Sequence, residues 1–370
     1  MEKNVVVYAP GKIMLSGEWS VLDGAPCIVL AIDKGVTAKI SEAGKTQIKL
    51  TDFGITTDAR IEGAKIIFEK ADEKLGFTKA AIETALAYIL EKGKTSKNFR
   101  LVTKSQISVV KVKGEKMKPG FGSSAAAVVS IAGAILKLHG FGIKTEQEKE
   151  RLFKLGIIAH YFAQGKIGSG FDVAASSFGG ATVYRRFSSQ WLSDELKIKK
   201  ISEVVDANWP YLEHRTIRLP KNFIALIGFT GKSASTKELV QKVNIFKQSN
   251  PESYKTIINS IKACTENLMR AIEGNEKGRI IALVRENGML LKGLSNSSGA
   301  GLETEEHRKM ALVAEKYGYA AKFSGAGGGD CGIAVCFDEK VAKKINLGWK
   351  KEGIIPIQAQ VSKGGVQLLK

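Results

Sequence analysis

Along the chain the apolar positions switch repeatedly between a strand-like period of two and a helix-like period of 3.6. Short runs of strand character come first, at Val5–Tyr8, Cys27–Ile32, Val36–Ser41 and Gln47–Leu50. Helices are predicted near Ala64–Leu75 and Thr78–Lys92; in the second, Ile82, Leu86, Ile89 and Leu90 recur at helix spacing. Strands return at Phe99–Thr103 and Ile107–Val112, before a Gly/Ser loop and an Ala-rich helix from Ser123 to Leu138. A helix from about Thr145 to Phe162 follows, where Thr145 and Glu148 have capping-box spacing. A strand at Ala181–Phe187 closes this half, and residues 188–219 read as edge strands and a connection. The second half shows a strand at Phe223–Phe229, helices near 235–247, 251–273, 276–294 and 304–317, and strands at Tyr319–Phe323, Cys331–Phe337 and Ile354–Val361. Such mixing predicts an α+β chain of two domains, 1–187 and 222–370, joined by 188–221.

Composition narrows the class. A chain of 370 residues with 44% hydrophobic and 25% charged residues has the make-up of a globular enzyme rather than a disordered or fibrous protein. Its 39 Gly and 7 Pro are too few for a low-complexity chain. Cys27, Cys264, Cys331 and Cys336 form no CxxC pair, so buried free thiols in a reducing, cytoplasmic setting are expected. The N-terminus, with Glu2 and only a brief apolar run, does not read as a signal peptide. The Ser123–Leu138 helix is too short to span a bilayer, so no membrane partner is expected. The excess of 56 basic over 37 acidic residues gives +19 and admits two readings, a solvated Lys-rich surface or a field that draws a polyanionic substrate. Of the basic residues 45 are Lys and 11 Arg, spread along the chain, whereas nucleic-acid binders cluster Arg among aromatics; no nucleic-acid partner is expected.

Four glycine-bearing segments carry candidate chemistry. In Ala9-Pro10-Gly11-Lys12, followed by Ser16-Gly17-Glu18-Trp19, the Pro-Gly-Lys reads by itself as a turn, and Lys12 as a solvated charge or a phosphate partner. Pro119-Gly120-Phe121-Gly122-Ser123-Ser124-Ala125-Ala126 puts glycines before a helix start, where free N–H groups and the helix dipole favour an anion. It lacks the GK[ST] ending of a P-loop, and a Ser-capped helix is the plainer alternative. Gln164-Gly165-Lys166-Ile167-Gly168-Ser169-Gly170-Phe171-Asp172 leads into a short helix, where Asp172 is either a cap or a functional carboxylate. In Ser324-Gly325-Ala326-Gly327-Gly328-Gly329-Asp330, four glycines in five positions cost chain entropy, which suggests backbone pressed against a ligand or another loop.

The order of these segments, from Pro10 to Cys336, resembles the GHMP kinases, the superfamily of galactokinase, homoserine kinase, mevalonate kinase and phosphomevalonate kinase. Within it, AQGKIGSGFDVAAS at 163–176, TVYRRF at 182–187, GKSASTKELV at 231–240 and SGAGGGDCGI at 324–333 are most similar to phosphomevalonate kinases. Trp19 and Asp330 stand where mevalonate kinases usually carry His and Gly.

The resemblance implies a β-rich N-terminal domain with a left-handed βαβ crossover, a ferredoxin-like C-terminal domain, and ATP and acceptor meeting between them. It implies ATP contacts from Pro119, Gly120, Phe121, Gly122, Ser123, Ser124, Ala125 and Ala126, with Ser124 as a Mg²⁺ ligand. Lys12 and Asp172 would be the catalytic pair. Acceptor contacts would come from Ser16, Lys166, Ser169, Gly170, Arg185, Arg186, Lys232, Ser324, Gly325, Ala326 and Gly327. The Mg²⁺-binding Glu that mevalonate kinase places upstream of the Asp has no counterpart in Ala159–Gln164, and His160 there reads as a packed or hydrogen-bonded residue.

The implied activity is ATP-dependent phosphorylation of phosphomevalonate to diphosphomevalonate in isoprenoid synthesis, by a monomer or homodimer acting on small molecules. Mevalonate kinase or another GHMP small-molecule kinase is the near alternative. A non-catalytic ligand- or RNA-binding protein on the same fold is the distant one. Arg185 and Arg186 are neighbours at a strand end, so at most one should face the acceptor. Asp172 is expected to orient Lys12 and the acceptor rather than to act as a base.

Overall fold

The structure is a computed structural model and describes residues 4–107, 110–112, 114–117, 119–165, 168–233 and 235–369. The first half runs β1 (Val5–Ser16), β2 (Cys27–Glu42), β3 (Thr46–Leu50), β4 (Ile55–Glu62), β5 (Lys65–Phe68), α1 (Gly76–Glu91), β6 (Phe99–Ser105), β7 (Val110–Val112), β8 (Glu115–Met117), α2 (Ser123–Leu138), α3 (Glu146–Ala163), α4 (Phe171–Phe178) and β9 (Ala181–Arg185). It continues with α5 (Ser189–Ile198), α6 (Ile201–Asp206) and β10 (Glu213–Ile217). The second half runs β11 (Ile224–Phe229), α7 (Thr236–Ser249), α8 (Pro251–Glu273), α9 (Lys277–Ser298), α10 (Glu305–Glu315), β12 (Ala320–Phe323), β13 (Cys331–Cys336), α11 (Glu339–Lys351), β14 (Ile355–Ile357) and β15 (Gln367–Leu368).

The large sheet has the order β10-β9-β2-β6-β3-β4-β5, and β1 pairs with β2 and β15. β3 and β6 run parallel, with β4, β5 and α1 between them in sequence. Helices α2 and α4 lie on this sheet, with α1 and α3 packed against α2, and the Ala-rich α2 lies in the middle because its small side chains let neighbours approach from all sides. Ala125, Ala126, Ala134 and Ile135 are fully buried. The capping box at Thr145 and Glu148 forms as expected.

The second sheet is antiparallel, in the order β12-β13-β11-β14. Helices link its first strand to its second and its third to its fourth, the split βαβ arrangement of ferredoxin-like domains. This agrees with the expected C-terminal architecture.

Several local expectations need correction. Pro10-Gly11-Lys12 is not a turn: β1 runs straight through it, with a shift of register against β2 between Pro10 and Gly11. The two strands read at 27–32 and 36–41 are one strand, β2. The helix expected at 64–75 does not form: Lys65–Phe68 is the second arm of the β4–β5 hairpin, turned at Gly63 (φ 59°), and only Glu73–Leu75 makes a single 3-10 turn ahead of α1. In β5 Ile66 is buried between exposed Lys65 and Ile67, a period of two that the run of good helix formers masked.

The connection at 188–221 is two helices and the strand β10, which adds to the edge of the first sheet at β9. Its apolar residues join the first core: Leu192 and Val204 are fully buried, and Trp209 packs on Phe187 and Trp191 at ring-centroid distances of 5.3 and 5.8 Å. The first domain therefore extends beyond 187. At the other end, β15 returns from the second half to pair with β1. Helix α11 was not read from the sequence, although Asp338 caps it and Ala342, Ile345 and Trp349 mark its buried face. No helix among the described residues is long and apolar enough to cross a membrane.

Candidate active site

Lys12 lies on β1 just after the register shift, half-buried, with the 119–122 loop folded over it. Its backbone N–H donates to the Phe121 carbonyl at 2.9 Å, and its Nζ donates to the Gly120 carbonyl at 3.0 Å. The ammonium also stands 5.5 Å from the centre of the Phe171 ring. Gly122 is pressed between the two expected catalytic residues. A Cβ there would lie 2.9 Å from Lys12 Cγ and 3.6 Å from Asp172 Cβ, and its φ is +70°. Only glycine meets both demands.

Gly122 is also the N-cap of α2, and no side chain caps that end. The Ser-capped alternative therefore does not hold. Among the described residues no side chain caps the first-turn amides of α2, and the positive end of the helix opens beside Lys12 of β1. Helix α4 starts the same way, from Gly170 (φ 83°) without a side-chain cap. Asp172 is not its N-cap but lies in its first turn, where Oδ1 accepts from the Val173 N–H at 3.0 Å. Ser169 and Gly170 are held by Tyr184, whose hydroxyl donates to the Ser169 carbonyl at 2.5 Å.

Asp172 Oδ2 faces His160 Nε2 at 3.7 Å rather than closing an ion pair with Lys12. His160 is buried, and its Nε2 is also 3.1 Å from Ser124 Oγ, so it joins the phosphate-loop helix to the Asp172 helix. This agrees with reading His160 as a hydrogen-bonded, packed residue.

The glycine loop 324–330 is pressed against other loops, as its composition suggested. A Cβ at Gly327 would lie 2.4 Å from the Leu302 carbonyl, and the Gly328 N–H donates to that carbonyl at 2.6 Å. Asp330, with φ +52°, receives Ser233 Oγ on its Oδ1 at 3.1 Å, and its own N–H donates to the Lys232 carbonyl at 2.8 Å. A Cβ at Gly120 would come within 3.0 Å of Asp330 Oδ2, and Cys331 Sγ donates to the Pro119 carbonyl at 3.1 Å. The glycine loop and the phosphate loop thus touch.

Beneath them lies the start of α10. Its capping box uses His307, whose Nδ1 accepts from the Thr304 N–H at 3.2 Å. Burial pushes the His307 imidazole down to about 4. Burial would raise the neighbouring Glu306 carboxyl, but hydrogen bonds from Lys232, the backbone and Thr304, together with the Lys232 charge, outweigh that and lower it to about 2.

The expected acceptor contacts separate into groups. Ser324 is tied to β1: its Oγ accepts from the Met14 N–H at 2.9 Å and donates to the Met14 carbonyl at 2.8 Å. Ser16 is fully buried, and its hydroxyl is used on Thr265 Oγ1 at 2.7 Å, so it does not line an open cleft. Lys232 is exposed and paired with Glu306 at 2.6 Å. Arg185 pairs across the strands with Glu213 at 3.2 Å, on the side away from Arg186. Arg186 is half-buried; one guanidinium nitrogen donates to Ser189 Oγ at 2.5 Å and another lies 3.5 Å from the Leu22 carbonyl. Burial lowers its pKa, with Tyr184, Tyr161 and Asp23 opposing. Gly325 and Ala326 are half-buried on the loop. Lys166 lies outside the described residues.

Two protein-family matches fall one in each half, over the segments that carry the phosphate loop and the glycine loop. The GHMP kinases N terminal domain matches residues 78–180, and the GHMP kinases C terminal domain matches residues 268–355. The chain belongs to the GHMP kinases. It is 27% identical to the phosphomevalonate kinase of Streptomyces sp. (strain CL190), with 96% of each chain covered. It is 30% identical to the mevalonate kinase of Pyrococcus abyssi (strain GE5 / Orsay), covering 100% of this chain and 98% of that one. The Streptococcus pneumoniae phosphomevalonate kinase, solved in complex with phosphomevalonate and AMPPNP, shares the fold with a TM-score of 0.81 at 23% identity, covering 97% of this chain and 99% of that one. As a GHMP kinase the chain is a phosphotransferase, and overall identity does not separate the two acceptor classes.

Sequence reasoning placed Glu18 in the first motif of this kinase but missed its partner. Glu18 and Lys322 form a fully buried ion pair between the halves. The one available signal was a lysine inside the apolar strand Tyr319–Phe323.

Proposed function

We propose that this GHMP kinase phosphorylates (R)-5-phosphomevalonate to 5-diphosphomevalonate with ATP. The observation that carries this reading is Arg186. It is a second half-buried cation, set just after the strand whose Tyr184 holds the Asp172 helix start, while Arg185 is turned away onto Glu213. An acceptor that brings its own phosphate calls for a further cation in addition to Lys12, because phosphoryl transfer depends on positioning and charge stabilisation.

In this reading the uncapped start of α2 and the 119–126 loop hold the ATP phosphates. Lys12 stabilises the transferring phosphoryl group. An acceptor phosphate oxygen forms its bond to the γ-phosphorus as the bond to the β–γ bridging oxygen breaks and ADP departs. The acceptor is a phosphate monoester whose second pKa is about 6, so near neutral pH it is already mostly a dianion and no base has to remove a proton. Asp172 then orients Lys12 and the acceptor.

Mg²⁺ prefers oxygen ligands and keeps several from water and nucleotide. Among the described residues no group of three His, Cys, Asp or Glu side chains is placed to hold a metal. Ser124 Oγ and the Asp172 carboxylate, both facing His160, are oxygen donors of the right chemistry for an ion carried mainly by the nucleotide. When bound, Mg²⁺ would neutralise phosphate charge.

The test is ADP release with phosphomevalonate, mevalonate and no acceptor side by side. Turnover confined to phosphomevalonate is expected. Equal or better turnover with mevalonate would move the chain to the mevalonate kinases.

A further inference from the structure

The buried pair Glu18–Lys322 has no role in the chemistry described so far. Glu18 follows β1 and Lys322 lies in β12, and their side chains are 0% and 1% exposed. Lys322 Nζ donates to the Glu18 carboxylate and also to the Phe323 carbonyl at 3.0 Å. Nearby, Ser16 meets Thr265, Ser324 grips both backbone atoms of Met14, and Gly288 packs so close that a Cβ there would lie 3.2 Å from Lys322 Cβ. Residues 14–18 of the first half are thereby fastened to residues 322–324 of the second.

Stability does not explain the choice of charges. Removing two ions from water costs more than their attraction reliably returns, and apolar residues of similar volume commonly do as well or better. Burial drives the Glu18 carboxyl up and the Lys322 ammonium down, while each partner pulls the other back. The Gly325 backbone amide also acts on Glu18 in its partner's direction, which brings the glycine loop itself into the cluster. A polar pair differs from an apolar one in fixing direction and register. What lies on either side of this pair is Lys12, six positions before Glu18, and loop 325–329, beginning three positions after Lys322.

We infer that Glu18 and Lys322 are positioning residues that set the glycine loop 325–329 in register against the Lys12 strand, and so shape the acceptor side of the cleft. The phosphate loop is fastened to Lys12 by its own bonds at Gly120 and Phe121. Nucleotide binding should therefore depend little on the pair and acceptor binding should depend on it strongly. The inference rests on the glycine loop contacting the acceptor, as in the proposed function.

The decisive variant is Glu18→Met/Lys322→Met, which replaces both charges with apolar side chains of similar length and leaves no unpartnered polar group in either side chain. Its thermal midpoint should stay close to the parent's, its KM for ATP within about twofold, and its KM for the acceptor should rise about tenfold, as a small misplacement of a substrate contact costs. Glu18→Asp keeps the charge and shortens the reach by one methylene; it should raise the acceptor KM about threefold with ATP unaffected. A parental acceptor KM in the folded double variant overturns the inference. So does a parental acceptor KM in Glu18→Asp, even where the double variant fails to fold. Each variant is measured with whichever acceptor the parent turns over, so failure of the phosphomevalonate reading shows in the parent and failure of the pair shows in the variants.

Discussion

Gly122→Ala tests whether the phosphate loop presses on Lys12 in the working enzyme. The substitution has two separable costs. An L-residue at φ +70° carries backbone strain of about 1–2 kcal/mol. The new methyl would also lie 2.9 Å from Lys12 Cγ and 3.2 Å from Cε, well inside ordinary contact, and the far end of a lysine yields more easily than the helix start. Lys12 should therefore be pushed off the Gly120 carbonyl and away from the reacting phosphoryl, a displacement of the kind that costs about 100-fold in kcat. Gly353→Ala is the control: its φ is +79° and nothing lies within 4 Å of the added methyl, so it carries strain alone. Urea unfolding and steady-state kinetics of both variants give the comparison. Both should lose a similar increment of stability, with Gly122→Ala losing somewhat more, and only Gly122→Ala should lose turnover. If Gly122→Ala retains the kcat of Gly353→Ala, the contact between loop and Lys12 does not govern the chemistry.

Arg186→Ala should raise the KM for phosphomevalonate at least about tenfold, the loss of one charge-assisted contact, while Arg185→Ala, removed from an exposed pair with Glu213, should stay near parental; equal effects would refute the assignment. Ser124→Ala should raise the Mg²⁺ concentration needed for half-maximal rate, and superimposable titrations would reduce Ser124 to a partner of His160. Asp172→Asn should keep measurable turnover, with the acid limb of its pH–kcat profile still set near pH 6 by the acceptor phosphate; loss of that limb would make Asp172 the titrating base. His307 is held neutral in the fold, down to about 4 against an ordinary 6.5, so the unfolded chain binds the extra proton and stability is lost as pH falls through that window. Between pH 7 and 5 the parent should lose about 2 kcal/mol more than His307→Gln in urea unfolding, and parallel losses would show that His307 titrates normally.

The local sequence determined the long helices and the glycine segments. Thr145 and Glu148 are close enough in sequence to announce α3, and the glycines at 120, 122, 327 and 329 announce close backbone approach whatever they approach. What they approach is a matter of tertiary structure. That Gly122 lies between Lys12 and Asp172, residues 160 positions apart, follows from β1, α2 and α4 converging, which no local pattern encodes. The same holds for Pro10-Gly11-Lys12, which local chemistry reads as a turn and which pairing with β2 holds as strand. Residues 65–68 show propensity losing to a period-two burial that only the packed sheet supplies. Arg185 and Arg186 looked equivalent until β10 added to the sheet edge and brought Glu213 to one of them. Glu18 and Lys322 were least legible, since a buried charge is tolerated only when its partner is present, and that partner comes from the other half of the chain.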